Sequence, residues 1–347
     1  MERIRLSGVL LGLGVALALV AASCGDDGGA AGSPDEAGSL TVYSGREEEF
    51  VASLFEQFEA DTGIQVDVRY GDSAELAATL VEEGDASPAD VFFSQDAGSL
   101  GAVAEAGLFA EIDQETLNRV EERFRSPEGL WVGTSGRGRV AVYNTEVLDA
   151  SDLPASILDL ADPRWEGRIG LPPTNSSFQA HVAAMTLTIG EGPTRGWLEG
   201  LMANGVRFYE DNGATTRAVA AGEIEVGLVN HYYKFEVEAE DGSLPIANHY
   251  FESGDPGSFV NTAGVGILGS AEHAEAARSF IDYVTGEAGQ TWVATETWEY
   301  PVALGYEPSV DLLAISRFVG PESHADLSDL GPALPVALQL LAEVGMV

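Results

Sequence analysis

The chain has 347 residues, of which 56 are acidic and 17 basic, for a formal net charge of −39 at pH 7. This sign argues against nucleic acid as a partner, because phosphate-binding surfaces are basic. The acidic residues are dispersed along the chain, which is typical of a solvated acidic surface. The single cysteine predicts no intramolecular disulfide, so the fold must rest on its core, and about 300 residues suffice for two lobes.

The N-terminus has the layout of a secretory signal. A short basic region comes first, followed by an apolar stretch at residues 6–20 that is short for a membrane span, and then by small residues up to Cys24. This predicts a signal peptide over residues 1–23. A cysteine after small residues resembles a bacterial lipoprotein processing site, in which Cys24 becomes the lipidated first residue. The alternative is an uncleaved anchor, and either reading predicts that the rest of the chain lies outside the cytoplasm.

Residues 24–39 are rich in Gly, Asp, Ala and Ser and contain almost no bulky apolar side chains. Such a composition cannot form a core. We interpret this stretch as a flexible tether between the lipid and the folded part.

From residue 40 onward, strands and helices alternate. Apolar periodicity and turn residues predict strands at residues 40–43, 64–70, 90–93, 140–143, 169–171, 206–209, 224–229 and 264–268. The same signals predict helices from residue 47 and at residues 73–83, 97–106, 177–188, 193–203, 215–221, 231–240, 271–284, 287–295 and 333–345. This alternation implies an α/β fold with a mostly parallel sheet covered by helices. Two such lobes with a cleft between them fit a hinge-closing binding protein.

A pair of tyrosines, Tyr232 and Tyr233, lies where a predicted buried strand passes into a charged helix. Ligands of open α/β sheets bind at the carboxyl ends of strands. The backbone turns at this junction, so both phenol oxygens can reach one point. Paired phenolates suit a hard cation such as Fe(III). The alternative is that both rings are packing aromatics.

Six short motifs carry a resemblance to a known family. They are Val42-Tyr43-Ser44-Gly45-Arg46, Ser87-Pro88-Ala89-Asp90-Val91-Phe92-Phe93, Ser135-Gly136-Arg137-Gly138-Arg139, Pro173-Thr174-Asn175-Ser176-Ser177-Phe178, Asn230-His231-Tyr232-Tyr233 and Glu299-Tyr300-Pro301. Over residues 40–347 the chain resembles the periplasmic ferric-iron-binding proteins of bacterial ABC transporters. The resemblance implies the type II periplasmic binding-protein fold, in which each of two lobes is a mostly parallel sheet flanked by helices. We place the first lobe at residues 40–136, the second at 137–262, and the return to the first lobe with the C-terminal helices at 263–347.

The resemblance implies a metal site with Tyr232 and Tyr233 as ferric ligands. Two other positions depart from the family pattern. Glu47 stands where some members have a histidine, and Gln95 stands where those members have a glutamate. Glu47 is either a carboxylate ligand or a residue that stabilises the N-terminus of its helix. For Gln95, too, the sequence leaves open whether the side chain is a metal ligand. A third tyrosine, which other members place at residues 175–178, is missing here.

The family also binds a synergistic anion, carbonate or phosphate. Arg137 matches the arginine that holds carbonate in several members, and a guanidinium fork suits a planar anion; its alternative role is a structural salt bridge. Further candidates for anion binding come from a helix start, from other polar pocket positions and from the first loop: Asn175, Ser176, Ser177, Asn212, Asn230 and Arg46. For the two pocket asparagines the alternative is turn formation and capping. For the first-loop arginine it is an ion pair with an acidic neighbour.

The resemblance therefore implies an extracytoplasmic, lipid-anchored, monomeric receptor. It would capture Fe(III) with a carbonate-like anion and deliver it to an ABC permease in the membrane. The alternative keeps the fold but binds a small organic ligand or anion of the phosphonate, polyamine or thiamine type, because fold alone does not decide function. An enzyme is not predicted, since no Gly-x-Ser-x-Gly or His-x-x-x-His arrangement occurs and the five histidines are scattered.

Overall fold

The computed structural model describes residues 38–318 and 327–347. The predicted signal peptide at residues 1–23, the candidate lipidation site Cys24 and most of the predicted tether at 24–39 lie outside these residues. Within the described ranges, no helix combines the length and the apolar character needed to cross a membrane.

The described residues form ten strands. They are β1 (Ser39–Ser44), β2 (Gln65–Tyr70), β3 (Val91–Ser94), β4 (Val132–Asn144), β5 (Ile169–Leu171), β6 (Arg207–Phe208), β7 (Val226–Asn230), β8 (Ile246–His249), β9 (Val260–Ile267) and β10 (Tyr300–Pro301). Strands β3, β4, β5, β7 and β9 are buried along their whole length. Burial on both faces explains why β3, β5, β7 and β9 consist mainly of apolar or small residues, whereas β4 also buries Arg137 and Arg139.

Twelve α-helices cover the sheet in the same described residues. They are α1 (Glu48–Thr62), α2 (Ser73–Glu83), α3 (Ala97–Glu105), α4 (Gln114–Leu117), α5 (Ser176–Thr188), α6 (Glu191–Ala203), α7 (Asn212–Ala220), α8 (Tyr233–Asp241), α9 (Ala274–Thr285), α10 (Glu287–Trp292), α11 (Ile315–Phe318) and α12 (Leu330–Glu343). Their limits follow local chemistry. The Asp72 carboxylate accepts hydrogen bonds from the first backbone N–H groups of α2, and α1 ends at Gly63, whose φ of 74° favours glycine.

The strands lie in the order β2-β1-β3-β9-β4-β7-β5-β6, and β8 and β10 also pair with β4. Strand β4 belongs to both lobes. Its first half pairs with β9 and β10, and from Arg139 onward it pairs with β7. The outer strands of each lobe are parallel, β1 with β2 and β3, and β5 with β6 and β7, whereas β4 and β9 add antiparallel pairs at the centre. The predicted two-lobed α/β fold is confirmed, and the lobe limits stay predictions.

Aromatic side chains form the core of the first lobe between the sheet and helices α1 and α9. Phe55 stacks on Phe280 with ring centroids 5.5 Å apart, and Phe93 of β3 meets the edges of both rings. All three are buried. Each such ring contributes roughly 1.5–3 kcal/mol relative to an exposed position. This packing fixes β3 and the loop that follows it, which carries Gln95.

Several features differ from the predicted elements. Strand β4 begins at Val132, eight residues before the predicted start, although glycines and arginines fill its first half. Strands β8 and β10 and the short helices α4 and α11 were not predicted. The helix predicted at residues 287–295 becomes a π-helical turn at Val293–Thr297, ended by Trp298 with φ 51°. In each place tertiary pairing overrides the local sequence signal.

Helix α12 contacts both lobes, because it packs against α3 of the first lobe and against α5 and α6 of the second. Backbones approach closely at its start. A Cβ atom on Gly331 would lie 2.9 Å from the carbonyl oxygen of Gly98 and 3.3 Å from the amide nitrogen of Ala102. Glycine is therefore required where α12 crosses α3.

Candidate functional site

A cleft of about 580 Å³ opens between the two lobes. The first lobe contributes the loops that follow β1, β2 and β3, with Arg46, Glu47 and Gln95 among the lining residues. The second lobe contributes residues 174–176 at the start of α5, and Glu210 before α7. The cleft thus lies at the carboxyl ends of parallel strands, where ligands of α/β sheets bind. A second concavity of about 510 Å³, beside Gln57 and Trp292, borders none of the predicted site residues.

The two tyrosines lie together at the start of α8. Strand β7 ends at Asn230, Tyr232 is the N-cap residue and Tyr233 is the first helical residue. Their rings stack with centroids 4.4 Å apart and an interplanar angle of 28°. Each phenol affects the pKa of the other, so the two oxygens lie near one another.

Burial raises the pKa of both phenols. For Tyr232, Glu299 raises the pKa further, while Arg137 and Arg46 oppose the rise. The pKa of Tyr233 lies well above its ordinary value because of burial, the neighbouring Tyr232 phenol and nearby carboxylates including Glu47. Both rings therefore keep their protons at neutral pH until a cation displaces them.

Arg137 lies in β4 with only 1% of its side chain exposed. Its three side-chain nitrogens are buried and meet no hydrogen-bond partner among the described residues. The predicted alternative of a direct salt bridge is therefore not formed within this part of the chain. A buried guanidinium with an open donor fork is a ready site for an anion, since an unpaired buried charge is costly.

Arg139, two residues further along β4, is equally buried, and two of its three side-chain nitrogens have hydrogen-bond partners in the described part of the chain. Its Nη1 donates to Oδ1 of Asn230 at 3.0 Å and to Oδ1 of Asn212 at 3.3 Å, and its Nη2 donates to the Leu228 carbonyl at 2.8 Å. Asn230 Nδ2 in turn donates to Ser177 Oγ at 3.2 Å. Burial lowers the pKa of Arg139 to about 9, which still leaves the group charged at neutral pH.

Arg46 forms the ion pair that the sequence left open. Its Nη1 donates to both carboxylate oxygens of Glu299, at 2.9 and 3.2 Å, and Ser135 donates to the same carboxylate. Both members of the pair are almost completely buried. Burial opposes ionisation of Glu299, yet Arg46 and Arg137 hold its pKa below the ordinary value. This pair links the first loop to the segment after α10.

The remaining candidates lie at the rim of the cleft. Glu47 is exposed and makes no capping hydrogen bond, and partial burial together with Glu49 raises its pKa. Gln95 is half-buried. Asn175 caps α5 by accepting from the Ser177 amide at 3.1 Å. Within the described residues, no three His, Cys, Asp or Glu side chains form a metal-binding cluster.

His231 points away from the tyrosine oxygens and into the junction between the lobes. Its Nδ1 accepts from the Gly138 amide and its Nε2 donates to the Trp298 carbonyl, each at 3.1 Å. These two bonds fix the tautomer, and burial lowers the pKa of the ring to about 4. His231 is therefore a neutral tie between β4 and the segment after α10.

Three residues near the site were not singled out from the sequence: Arg139, Glu299 and Tyr70. Arg139 lies two residues from Arg137, but the strand that puts the two on one face was not predicted there. Tyr70 lines the cleft at the end of β2, where strand-end position is the signal. Glu299 has no local signal, since its partner Arg46 is 253 residues away in the chain.

A family model described as "Bacterial extracellular solute-binding protein" matches residues 86–316. The chain is 37% identical over 322 residues to the Fe(3+)-binding periplasmic protein of Serratia marcescens, covering 92% of this chain and 93% of that protein. It is 31% identical over 290 residues to the major ferric iron-binding protein of Neisseria meningitidis serogroup B, covering 82% and 87% of the two chains.

Solved structures show the same similarity. Iron-bound HitA from Pseudomonas aeruginosa superposes with a TM-score of 0.83 at 36% identity, covering 88% of this chain and 99% of that chain. The Trichodesmium protein IdiA (FutA), solved in complex with iron and citrate ligands, gives a TM-score of 0.75 at 30% identity, with coverage of 88% and 99%.

Proposed function

This chain belongs to the bacterial extracellular solute-binding proteins, and we propose that it captures ferric iron in its interlobe cleft for delivery to an ABC permease. The observation that carries the proposal is the buried, stacked pair Tyr232–Tyr233, which lies close to Arg46 and Glu47 in the lining of that cleft. The names of the iron-binding relatives support the choice of metal. The family is one of binding proteins and not of enzymes, as predicted.

The ferric ion is the cargo, and the tyrosines supply the anionic oxygens that hold it. Binding displaces the phenol protons, so that Tyr232 and Tyr233 bind as phenolates. Glu47 and Gln95 are the further candidate ligands from the first lobe, because both line the same cleft. Ligands from both lobes can reach the metal together only when the lobes are closed. Metal binding therefore stabilises the closed state and shifts the population from open to closed.

Charge balance supports an accompanying anion. Three guanidinium groups, of Arg46, Arg137 and Arg139, are buried here, and the buried carboxylate of Glu299 acts on the first two. Phenolates and a carbonate or phosphate ion offset the remaining positive charge. The open donor fork of Arg137 is the centre of this anion site. Arg46 is the weaker candidate, because Glu299 already occupies it.

The polar residues around Arg137 complete the proposed anion site. They are Asn175 and Ser176 at the rim of the cleft, and Ser177, Asn212 and Asn230 beneath it. Backbone N–H groups at the start of α5 add favourable dipoles for a negative charge.

The proposal extends to location. Residues 1–23 act as a signal peptide, Cys24 carries the lipid, and residues 24–39 tether a monomeric receptor to the outer face of the membrane. The lobes are residues 40–136 with 263–347, and residues 137–262. The lobe hinge lies where β4 exchanges partners, between Gly138 and Arg139.

The test is an optical titration of the metal-free chain from Gly38 onward, within the compact unit Ala37–Val347, with ferric citrate in bicarbonate buffer. We expect a visible phenolate-to-iron charge-transfer band that saturates at one iron per protein. Tyr232→Phe and Tyr233→Phe should each weaken or abolish the band. Tyr283→Phe is the matched control, because this phenol binds Asp61 on the outer side of the first lobe.

A folded wild-type protein without the band would contradict the iron proposal. The small organic ligand would then be the better assignment, and mass spectrometry of the material that copurifies in the cleft would identify it.

A further inference from the structure

The ring of His231 lies between β4 and a segment that the predicted lobe limits assign to the first lobe. On one side, Nδ1 accepts from the Gly138 amide at 3.1 Å, and the His231 amide donates to the Gly138 carbonyl at 2.9 Å. On the other side, Nε2 donates to the Trp298 carbonyl at 3.1 Å. His231 is fully buried, so breaking either ring bond leaves a polar group without a partner.

Gly138 is the point at which β4 exchanges partners. It pairs with Val260 of β9, whereas Arg139 pairs with Asn230 of β7. The proposed lobe hinge lies between these two residues of β4. Because His231 holds Gly138 through both its backbone and its ring, the ring is fixed at the pivot of the lobe movement.

Trp298 presents its carbonyl to the ring in a strained backbone conformation. With φ 51°, it is the one residue other than glycine with a positive φ in the described part of the chain. It follows the π-helical turn Val293–Thr297 and precedes Glu299, the partner of Arg46. A bulky residue keeps such a φ only where its surroundings hold it there. The hydrogen bond from His231 is one such contact.

The His231 ring also contacts the first tyrosine of the pair. Tyr300 packs on it with ring centroids 4.6 Å apart, and Tyr232 meets it at 5.8 Å with an interplanar angle of 89°. Tyr232 in turn stacks on Tyr233. A shift of residues 298–300 relative to the pivot therefore reaches the tyrosine pair through one rigid ring.

We propose that His231 is a positioning residue that couples lobe movement to the tyrosine pair, through its hydrogen bond to the Trp298 carbonyl. The inference rests on the proposed ferric function and adds a control over release of the metal. With the bond in place, the first lobe helps to hold Tyr232 in position. Without it, Tyr232 moves independently of the first lobe, and loss of one buried hydrogen bond should speed iron release about tenfold.

Two substitutions separate the two ring bonds, because a neutral imidazole offers an acceptor on one side and a donor on another. In His231→Asn the amide oxygen takes the place of Nδ1 and still accepts from Gly138, but nothing reaches the Trp298 carbonyl. In His231→Gln the amide nitrogen lies as far along the side chain as Nε2 and still donates to Trp298. Both variants lose the aromatic ring, so they form a matched pair.

The first test measures iron release from the ferric-loaded full-length protein to excess EDTA at neutral pH, followed by decay of the phenolate–iron band. His231→Asn should release iron about tenfold faster than the wild type, and His231→Gln should stay close to the wild-type rate. His249→Asn and His249→Gln are the control pair, because His249 Nε2 is bound to the Pro154 carbonyl within the predicted second lobe. Neither control should change the release rate.

A merely structural role of His231 predicts that both variants release iron at the same rate. Equal rates, or faster release from His231→Gln, would overturn the inference. If His231→Asn does not fold, Trp298→Gly replaces it, since glycine no longer holds the carbonyl towards the ring. That variant should show the same faster release, and a wild-type rate would contradict the coupling.

Amide hydrogen exchange of the metal-free protein tests the coupling without iron. Residues 293–300 should exchange faster in His231→Asn than in His231→Gln, because only the second variant keeps the bond to Trp298. Equal exchange would overturn the role of His231 whatever the protein binds. A wild type without the phenolate–iron band would instead contradict the proposed function, and faster exchange in His231→Asn would still support the coupling.

Discussion

Glu299 is the buried counter-ion of the site, and its partner Arg46 is 4% exposed. Because both charges are out of water, removing one member leaves the other uncompensated, which costs about 3–5 kcal/mol. The pair also joins the first loop to the segment after α10, so its loss affects the position of Arg46 in the cleft.

We expect Glu299→Gln to lower the free energy of unfolding by about 3–5 kcal/mol at pH 7, measured by urea denaturation. The pKa of Glu299 is lowered in the folded state, so its contribution is full above the ordinary carboxyl pKa and is lost as the pH falls through the folded value. The difference between wild type and variant should therefore stay constant above about pH 5 and shrink below about pH 4.

Glu225→Gln serves as the control, because Glu225 pairs with Arg168 in a more exposed position, with 26% and 31% of the side chains exposed. Its expected cost is below about 1 kcal/mol. Equal effects of the two substitutions would show that Arg46 and Glu299 do not form a buried pair.

The phenol protons make ferric affinity depend on pH. The pKa of both tyrosines is raised, so each is protonated at neutral pH and each must lose a proton to bind as a phenolate. Affinity for free Fe(III) should rise about 100-fold per pH unit between pH 6 and 8, as two protons are released. Competition with a chelator of known pH dependence measures this slope, and a tenfold rise per unit would mean that only one tyrosine ionises.

The sequence predicted the candidate site in part. The tyrosine pair and the start of α5 could be found because each lies at a recognisable strand or helix end, whereas Arg137, inside β4, was identified only through the resemblance. The sequence alone does not decide whether Arg46 binds a ligand or forms an ion pair. Its partner Glu299 is distant in the chain, and only the fold brings the two side chains together. The free donors of Arg137 also required the structure, since unpaired groups are a property of packing.

At the scale of elements, the contact between α12 and α3 depends on glycine. Gly98 and Gly331 let the two backbones approach, and α12 continues from there to α5 of the second lobe. Any side chain on Gly331 would push α12 from α3 and disturb a helix shared by both lobes.

Gly331→Ala should therefore destabilise the protein by about 1–3 kcal/mol, since its Cβ would meet backbone atoms that cannot move aside. Gly196→Ala is the matched control in α6, where a Cβ atom meets nothing within 4 Å. That substitution should stabilise the protein by roughly 0.5–1 kcal/mol, because it removes backbone entropy from a helix. Thermal unfolding of both variants measures these changes in stability. An unchanged stability of Gly331→Ala would contradict the close approach of the α12 and α3 backbones.

The sequence predicted most elements because apolar periodicity and end signals agree there. The limits of α2 (Ser73–Glu83) and β5 (Ile169–Leu171) coincide with the predicted ranges. The prediction missed the first half of β4, because Gly and Arg are typical of turns and surfaces in a local reading of the sequence. Its strand conformation comes from pairing with β9 and β10, which local sequence does not encode.

For the whole molecule, a net charge of −39 remains after the 17 basic residues are set against the 56 acidic ones, and it creates self-repulsion. Salt screens such repulsion over about 10 Å at 0.1 M. The melting temperature should therefore rise between roughly 10 mM and 500 mM NaCl, by about 2–4 °C for each kcal/mol of repulsion relieved.

Calorimetry at pH 7 measures this rise. The same series at pH 4.5 is the control, where partial protonation of carboxylates reduces the charge and the salt effect should shrink. A melting temperature that falls with salt at pH 7 would show that ion pairs outweigh the repulsion.

The position of β9 determines the order in which the molecule can be completed. This strand lies between β3 and β4 in the sheet, yet it follows the second lobe in the chain. The chain emerges with its N-terminus first, so the first lobe lacks this central strand until residue 267 has appeared. The residues of the second lobe, by contrast, follow one another in the chain without interruption. Glu299 emerges later still. The cleft between the lobes is therefore assembled only after almost the whole polypeptide has emerged.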